Sequence, residues 1–319
     1  MVTEKRTRQP ECNEPVPRHS TGCRSDTKVS ELLKPARVRT DGYPASTDAT
    51  GASLIQLIYI GGYGRSGSTL LEYLLTASHK VVACGEVSAA LHARLKKKQC
   101  TCGKPVSDCT VWHHISETRG ELHSWTHKDL SLALSESIAS HDAVMVDSSK
   151  TAWGSATVPF ALRRTLGRRF HLIHLVRDPA AVCWSAIQRH ERSSAVRANR
   201  TLQCISATLG WWVANLACEL FSCVYPNQYR RLCYEDLANS PREVVSSIFR
   251  ALSVEDEVHF ETLGLASNRH QLYGNRMRRR SLSIDQIKPD DAWRTNMPVG
   301  YRRLVKAISW PLRSRYGYP

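Results

Sequence analysis

Leu54-Ile55-Gln56-Leu57-Ile58-Tyr59-Ile60-Gly61-Gly62-Tyr63-Gly64-Arg65-Ser66-Gly67-Ser68-Thr69-Leu70-Leu71-Glu72-Tyr73-Leu74-Leu75 passes from an apolar run, through a glycine-rich turn, into a second apolar run. The first seven residues have the length and continuity of a strand buried on both faces of a parallel sheet. Thr69 onward reads as helix. Between them, Gly62 to Thr69 has the form G-x-x-x-x-G-S-T. Glycine lets the backbone turn tightly and point its N–H groups into one cavity. The helix N-terminus adds partial positive charge at the same place. Strand, loop, hydroxyl pair and helix in this order predict a site for a phosphate or sulfate group rather than a plain chain reversal.

Working outward, Asp142 to Asp147, Phe170 to Val176 and Arg231 to Tyr234 are further strand candidates. Helices are predicted from Asp178-Pro179 to about His190, over Trp211 to Phe221, and from Pro241 to Leu252. Strands alternating with helices imply α/β architecture: a P-loop-like three-layer α/β/α fold around a central parallel sheet. Ligands in such sheets sit beyond the C-terminal strand ends. A chain of 319 residues with 42% apolar content can fill such a core. Residues 1–50 lack apolar periodicity and are expected to form a disordered tail. Residues 51–319 are expected to form the working domain, with a cysteine-rich insert at about 99–114.

The net charge of +15 points to anionic partners. No run approaches the roughly 18 apolar residues of a membrane span, and no apolar signal core opens the chain, so a cytoplasmic protein is expected. Of eleven cysteines, Cys183, Cys204, Cys218 and Cys223 fall in apolar segments, as buried reduced thiols do. Cys100, Cys102, Cys109 and His113 form C-x-C-x6-C-x3-H. That is enough ligands for zinc, without the usual C-x2-C spacing. Zinc, a disulfide and plain loop thiols all stay open; a catalytic metal is not expected.

A nucleotide triphosphatase carries Lys just before its final loop hydroxyl. Here that place is Ser68, and the cation lies inside the loop at Arg65. Gly64-Arg65-Ser66-Gly67-Ser68-Thr69 resembles the first signature of the sulfotransferases that use 3′-phosphoadenosine-5′-phosphosulfate (PAPS). The likeness is to the Arg-Ser-Gly-Ser-Thr branch found in carbohydrate, tyrosylprotein and bacterial enzymes. The resemblance implies that Gly64, Arg65, Ser66, Gly67, Ser68 and Thr69 grip the 5′-phosphosulfate. The family's second signature, a strand-end Arg followed eight residues later by a helical Ser, is matched by Arg177 and Ser185. These would hold the 3′-phosphate, for which a planar guanidinium fork is well shaped.

Three further segments extend the likeness. Cys84-Gly85-Glu86 resembles the segment that supplies the base in tyrosylprotein sulfotransferases, which makes Glu86 the candidate base; His79 and His92 are the alternatives. Asp147-Ser148-Ser149-Lys150 resembles the strand end bearing a catalytic Lys. Lys150 and Arg65 would then flank the transferring group. Ser283 to Pro289 and Trp293-Arg294 resemble the closing segment over the donor. Lys288 is taken from it as a donor-binding residue, and His270 to Arg280 as a lid. Tyr234-Glu235-Asp236-Leu237 is expected to be structural. The implied activity is sulfuryl transfer from PAPS to a hydroxyl on a small molecule, sugar, lipid or peptide. Two other readings are an ATP- and Mg²⁺-using P-loop kinase and a non-enzymatic nucleic-acid binder. No recognised nucleic-acid motif supports the second.

Overall fold

The computed structural model describes residues 56–319 other than 92–94, 96–97, 118–124, 153, 194–198, 255–257, 264–267 and 281. The expected N-terminal tail and His92 lie outside the described residues. In chain order the strands and helices are β1 (Leu57–Gly61), α1 (Ser68–Leu75), β2 (Val81–Ala83), α2 (His113–Glu117), α3 (His127–Ala139), β3 (Val144–Asp147) and α4 (Val158–Leu166). They continue with β4 (Phe170–Val176), α5 (Pro179–Ser193), α6 (Arg200–Val224), β5 (Tyr229–Cys233), α7 (Tyr234–Asn239), α8 (Pro241–Leu252), α9 (Ala292–Asn296) and α10 (Val299–Arg315).

The five strands form one sheet in the order β2-β3-β1-β4-β5, and every pairing is parallel. Leu57 sits between Met145 and Phe170 in register. The chain leaves β1 toward β2 on one side and returns past it to β4 on the other. The sheet therefore reverses direction at β1, and the crevice at such a reversal is where ligands bind. β1 and β4 are buried along their whole length, as central strands covered on both faces must be.

Side-chain alternation along β1 sorts the core into two halves. Ile58 and Ile60 join Leu71 and Leu74 of α1 and Val245, Ile248 and Phe249 of α8 on one face. Leu57 and Tyr59 join Leu130 and Leu134 of α3, Leu162 of α4 and Phe221 of α6 on the other. The expected three-layer α/β/α arrangement is what the chain adopts. β2 went unpredicted because Val81-Val82-Ala83 is too short to show a period. α6 is much longer than the predicted Trp211 to Phe221. Among the described residues it is one helix with the length and apolarity to cross a membrane. One side of it belongs to the core, where Trp211, Ala214, Cys218 and Phe221 are buried and Asn215 bonds to His174 of β4.

Candidate active site

The loop between β1 and α1 is bent by two glycines that cannot be replaced. Gly62 has φ 110°, and a Cβ there would lie 2.4 Å from the Leu175 carbonyl oxygen. Gly67 has φ 96°, and a Cβ would meet the Tyr234 ring at 2.6 Å. Leu70 and Leu71 donate their N–H groups to Gly67 O, starting the helix at once. Arg65 also takes a left-handed conformation, φ 74°. This is costly for a side chain with a Cβ, and such strain gathers at functional sites.

A cleft of about 630 Å³ opens at this strand end. Gly64, Arg65, Gly67, Ser68, Thr69, Glu86, Lys150, Arg177 and Ser185 all line it. The two motifs that lie far apart in sequence touch here. Arg65 Nε donates to Ser185 Oγ at 2.9 Å, and Arg177 Nη1 donates to the Arg65 carbonyl at 3.0 Å. Ser66 is buried and does not line the cleft. Lys288 is exposed and lies outside it as well. From that closing segment it is Asp290 that reaches the site, accepting from Arg177 Nη2 on both its carbonyl (3.0 Å) and Oδ2 (3.1 Å).

Arg177 is buried and its guanidinium lies 4.2 Å over the Tyr234 ring. Tyr234 OH also accepts from the Asp290 N–H. Tyr234, expected to be structural, therefore forms part of the cleft wall. The Arg177 Nε is buried without a partner, a donor whose burial costs about 1–3 kcal/mol unless an acceptor meets it. Arg65 is held below the usual arginine range, by burial first and then by Arg189, Arg177 and Arg192 nearby. Several guanidiniums forced together beside a glycine cradle fit a ligand with more than one anionic group.

Beside Gly64 of the loop, Lys150 Nζ donates to Glu86 Oε1 at 2.5 Å, with both side chains largely out of water. Each is placed by a strand end. Lys150 follows β3 with φ 72°, and its carbonyl accepts from the buried Tyr59 OH. Thr151 Oγ1 accepts from Gly62 N–H at 3.0 Å, tying the glycine loop to the end of β3. Asp147 accepts from His127 Nε2 and Ser131 Oγ and holds the Ser149 N–H, which fixes the turn before Lys150. Burial pushes the Asp147 carboxyl up, but His127 and these hydrogen bonds outweigh it and hold it below the usual range. Glu86 follows Gly85, whose φ is 76° and whose position admits no Cβ: one would lie 2.5 Å from Tyr273 O.

Sequence reasoning missed Glu72. It is buried on α1, where Oε1 accepts from Gly85 N–H at 2.6 Å and Oε2 from Ser148 Oγ at 2.9 Å. One carboxyl thus clamps the strand ends bearing both Glu86 and Lys150. Burial raises its pKa to about 7 despite these bonds. The signal was present: a lone acid inside Leu70-Leu71-Glu72-Tyr73-Leu74. His79, the alternative base, is exposed beside His259, away from the cleft. Of the expected lid, Asn275 and Met277 line the cleft, while Arg276, Arg279 and Arg280 are exposed.

Among curated protein sequences, none matches the chain. Among solved structures, the sulfotransferase domain from the curacin biosynthetic pathway superposes with a TM-score of 0.50 at 20% identity. That match covers 80% of this chain and 96% of that domain, and it shows the same fold. The sulfotransferase domain from the Synechococcus PCC 7002 olefin synthase matches at 19% identity and a TM-score of 0.47, over 79% of this chain and 94% of that one. A family model described as the sulfotransferase family fits residues 57–258, which run from β1 through the glycine loop, Glu86, Lys150, Arg177 and Ser185 to just past α8. With more than half of its length so matched, the chain belongs to the sulfotransferase family.

Proposed function

We propose that the protein moves a sulfuryl group from PAPS to a hydroxyl of a small molecule, sugar, lipid or peptide. The observation that carries this reading is the contact between the two anion-binding motifs: Arg65 bonded to Ser185 and Arg177, with the Lys150–Glu86 pair lining the same cleft. In this reading the loop N–H groups, Ser68 and Thr69 receive the 5′ end of the donor. Arg177 and Ser185 receive the 3′-phosphate. The acceptor oxygen forms a bond to sulfur as the bond from sulfur to the bridging phosphate oxygen breaks. Glu86 takes the acceptor proton, and Lys150 turns its N–H from Glu86 to the leaving oxygen. Arg65 stabilises the charge that gathers on the departing adenosine 3′,5′-bisphosphate. Positioning and fixed charges do most of the work, as in phosphoryl transfer.

The test is a transfer assay with ³⁵S-labelled PAPS and a panel of sugar, phenol, lipid and peptide hydroxyls, run beside thermal shifts. Stabilisation by adenosine 3′,5′-bisphosphate and labelled product from one acceptor class support the reading. Stabilisation by ATP–Mg²⁺ but not by the bisphosphate would overturn it in favour of a kinase.

A further inference from the structure

Cys100, Cys102, Cys109 and His270 bring one ligand atom each within 4.8 Å of one another. They come from two segments some 160 residues apart, so their meeting is a product of the fold. The Cys100 and Cys109 sulfurs are 3.6 Å apart, and His270 Nδ1 lies 3.2 Å from Cys109 Sγ and 3.9 Å from Cys100 Sγ. Bond lengths of about 2.3 Å to sulfur and 2.0–2.1 Å to nitrogen give a zinc tetrahedron edges of about 3.8 Å between sulfurs and about 3.5 Å from sulfur to nitrogen. The observed spacings sit close to those edges. They are far from the roughly 2.05 Å of a disulfide bond.

The surroundings hold the four side chains in place. Cys100 N–H donates to Lys104 O, Gly103 N–H donates to Cys100 O, and Gly103 takes φ 86°. This tight knuckle turns Cys100 and Cys102 toward the same point. Thr101 Oγ1 donates to Arg269 O and accepts from Gln271 N–H, stitching the knuckle to the strand-like segment that carries the histidine. His270 is pinned by its own backbone: its N–H donates to Ala83 O, and its carbonyl accepts from Trp112 Nε1 at 2.6 Å. Cys100, Cys109 and His270 are buried, and Cys102 is half-buried.

We propose that Cys100, Cys102, Cys109 and His270 bind one structural zinc ion. On binding, each thiol releases its proton to solvent and coordinates as thiolate, while the imidazole binds as the neutral ring. Three thiolates and Zn²⁺ leave a net charge of −1. With four protein ligands, the ion has no open position for substrate, so its role is to clip two segments together. His113, the fourth ligand suggested by sequence spacing, instead faces the Ser107 carbonyl through Nδ1 at 2.6 Å. The clip braces the candidate base. Asn268 O accepts from Ala83 N–H, His270 N–H donates to Ala83 O, and Tyr273 O accepts from Glu86 N–H. The segment fastened by the metal is thus the one laid alongside residues 83–86.

The site is tested on the full chain, purified reduced from zinc-supplemented medium, by elemental analysis beside thiol titration. Roughly one zinc per chain is expected, as a buried four-ligand site retains its ion. Cys100→Ser and His270→Ala should lose it, while His113→Ala and Cys223→Ser keep it. If the Cys100 or His270 variant fails to fold, cobalt exchanged into the wild-type protein reads the ligands directly. Intense tetrahedral d–d bands in the red and a thiolate-to-cobalt charge-transfer band in the near ultraviolet are expected. Folded, fully reduced protein with neither zinc nor these bands would overturn the proposal. So would a Cys100–Cys109 disulfide found by mass spectrometry in freshly purified protein, or zinc kept by His270→Ala and lost by His113→Ala. None of these measurements depends on sulfuryl transfer.

Discussion

Glu86 and Lys150 form an ion pair, and in the proposed reaction its members act oppositely, one on a proton and the other on a developing charge. Glu86→Gln keeps the shape and removes the acceptor. It should lower turnover by about 10²- to 10⁴-fold, the usual range for a positioned base. Binding of adenosine 3′,5′-bisphosphate, measured by calorimetry, should stay within a few-fold of wild type. Arg177→Ala should show the reverse pattern: weaker bisphosphate affinity by about 1.5–3 kcal/mol, the range for a charge-assisted hydrogen bond. Glu72 makes a sharper case, because its effect has a sign. Its pKa rises from an ordinary 4.5 to about 7 in the fold. The native state therefore binds the proton more tightly than the unfolded chain does. Stability is fullest below about pH 4.5 and declines as pH rises through about 7. The shift amounts to about 3 kcal/mol as an upper figure. Glu72→Gln should erase this slope in urea midpoints measured from pH 5 to pH 8. The eight-residue spacing to Ser185 singled out Arg177, and the resemblance of Cys84-Gly85-Glu86 singled out Glu86; both side chains line the cleft. Glu72 acts through a contact with Gly85 and Ser148 that no spacing within α1 announces.

Strand β4 carries two buried histidines, His171 and His174, in a segment that reads in sequence as a plain apolar strand. Burial lowers their pKa values from 6.5 to about 3 and about 4. Here the sign is opposite to that of Glu72. The native state keeps both rings neutral, so stability holds above about pH 6.5 and is lost as pH falls toward the native values. Acid unfolding should thus begin well above the ordinary carboxylate range. His174 has partners in Tyr229 and Asn215, whereas His171 Nε2 has none. His171→Leu should raise stability by about 1–3 kcal/mol, the cost of an unmet buried polar group, and flatten the acid limb of a Tm–pH profile. The long apolar strands and the glycine loop were readable because each shows its period or its glycines within a dozen residues. β2 and the ends of α6 were not. Three residues carry no period, and only tertiary packing decides how far a helix runs.

On the scale of the whole molecule, a net charge of +15 meets a cleft in which Arg65, Arg177 and Arg189 gather. Bisphosphate binding should weaken as salt rises from 50 to 300 mM, more steeply than for a neutral adenosine probe, since screening acts on the charged contacts. At about a hundredfold excess over Kd the ligand should add about 2.7 kcal/mol to stability, visible as a Tm increase that shrinks with salt. The α/β class and the parallel sheet were legible from alternating strands and helices, and the cleft opens at the strand end where that pattern places one. The pairing of the cysteine-rich insert with His270 was not, because the histidine arrives from the far side of the sequence.

The same sheet order has a consequence in time. β1 is made early, but its partner on one side, β4, begins at Phe170, over a hundred residues later. A ribosome adding about 5–20 residues per second needs roughly 6–20 s to supply it. The glycine loop waits longer still, since Arg177 leans on Asp290, near the end of the chain. During that interval an apolar strand and the glycine loop exist without the residues that complete them. Synthesis rate is therefore a lever on yield: slower translation before Phe170 lengthens the exposure of β1, and a chaperone that shields it should matter most in that window.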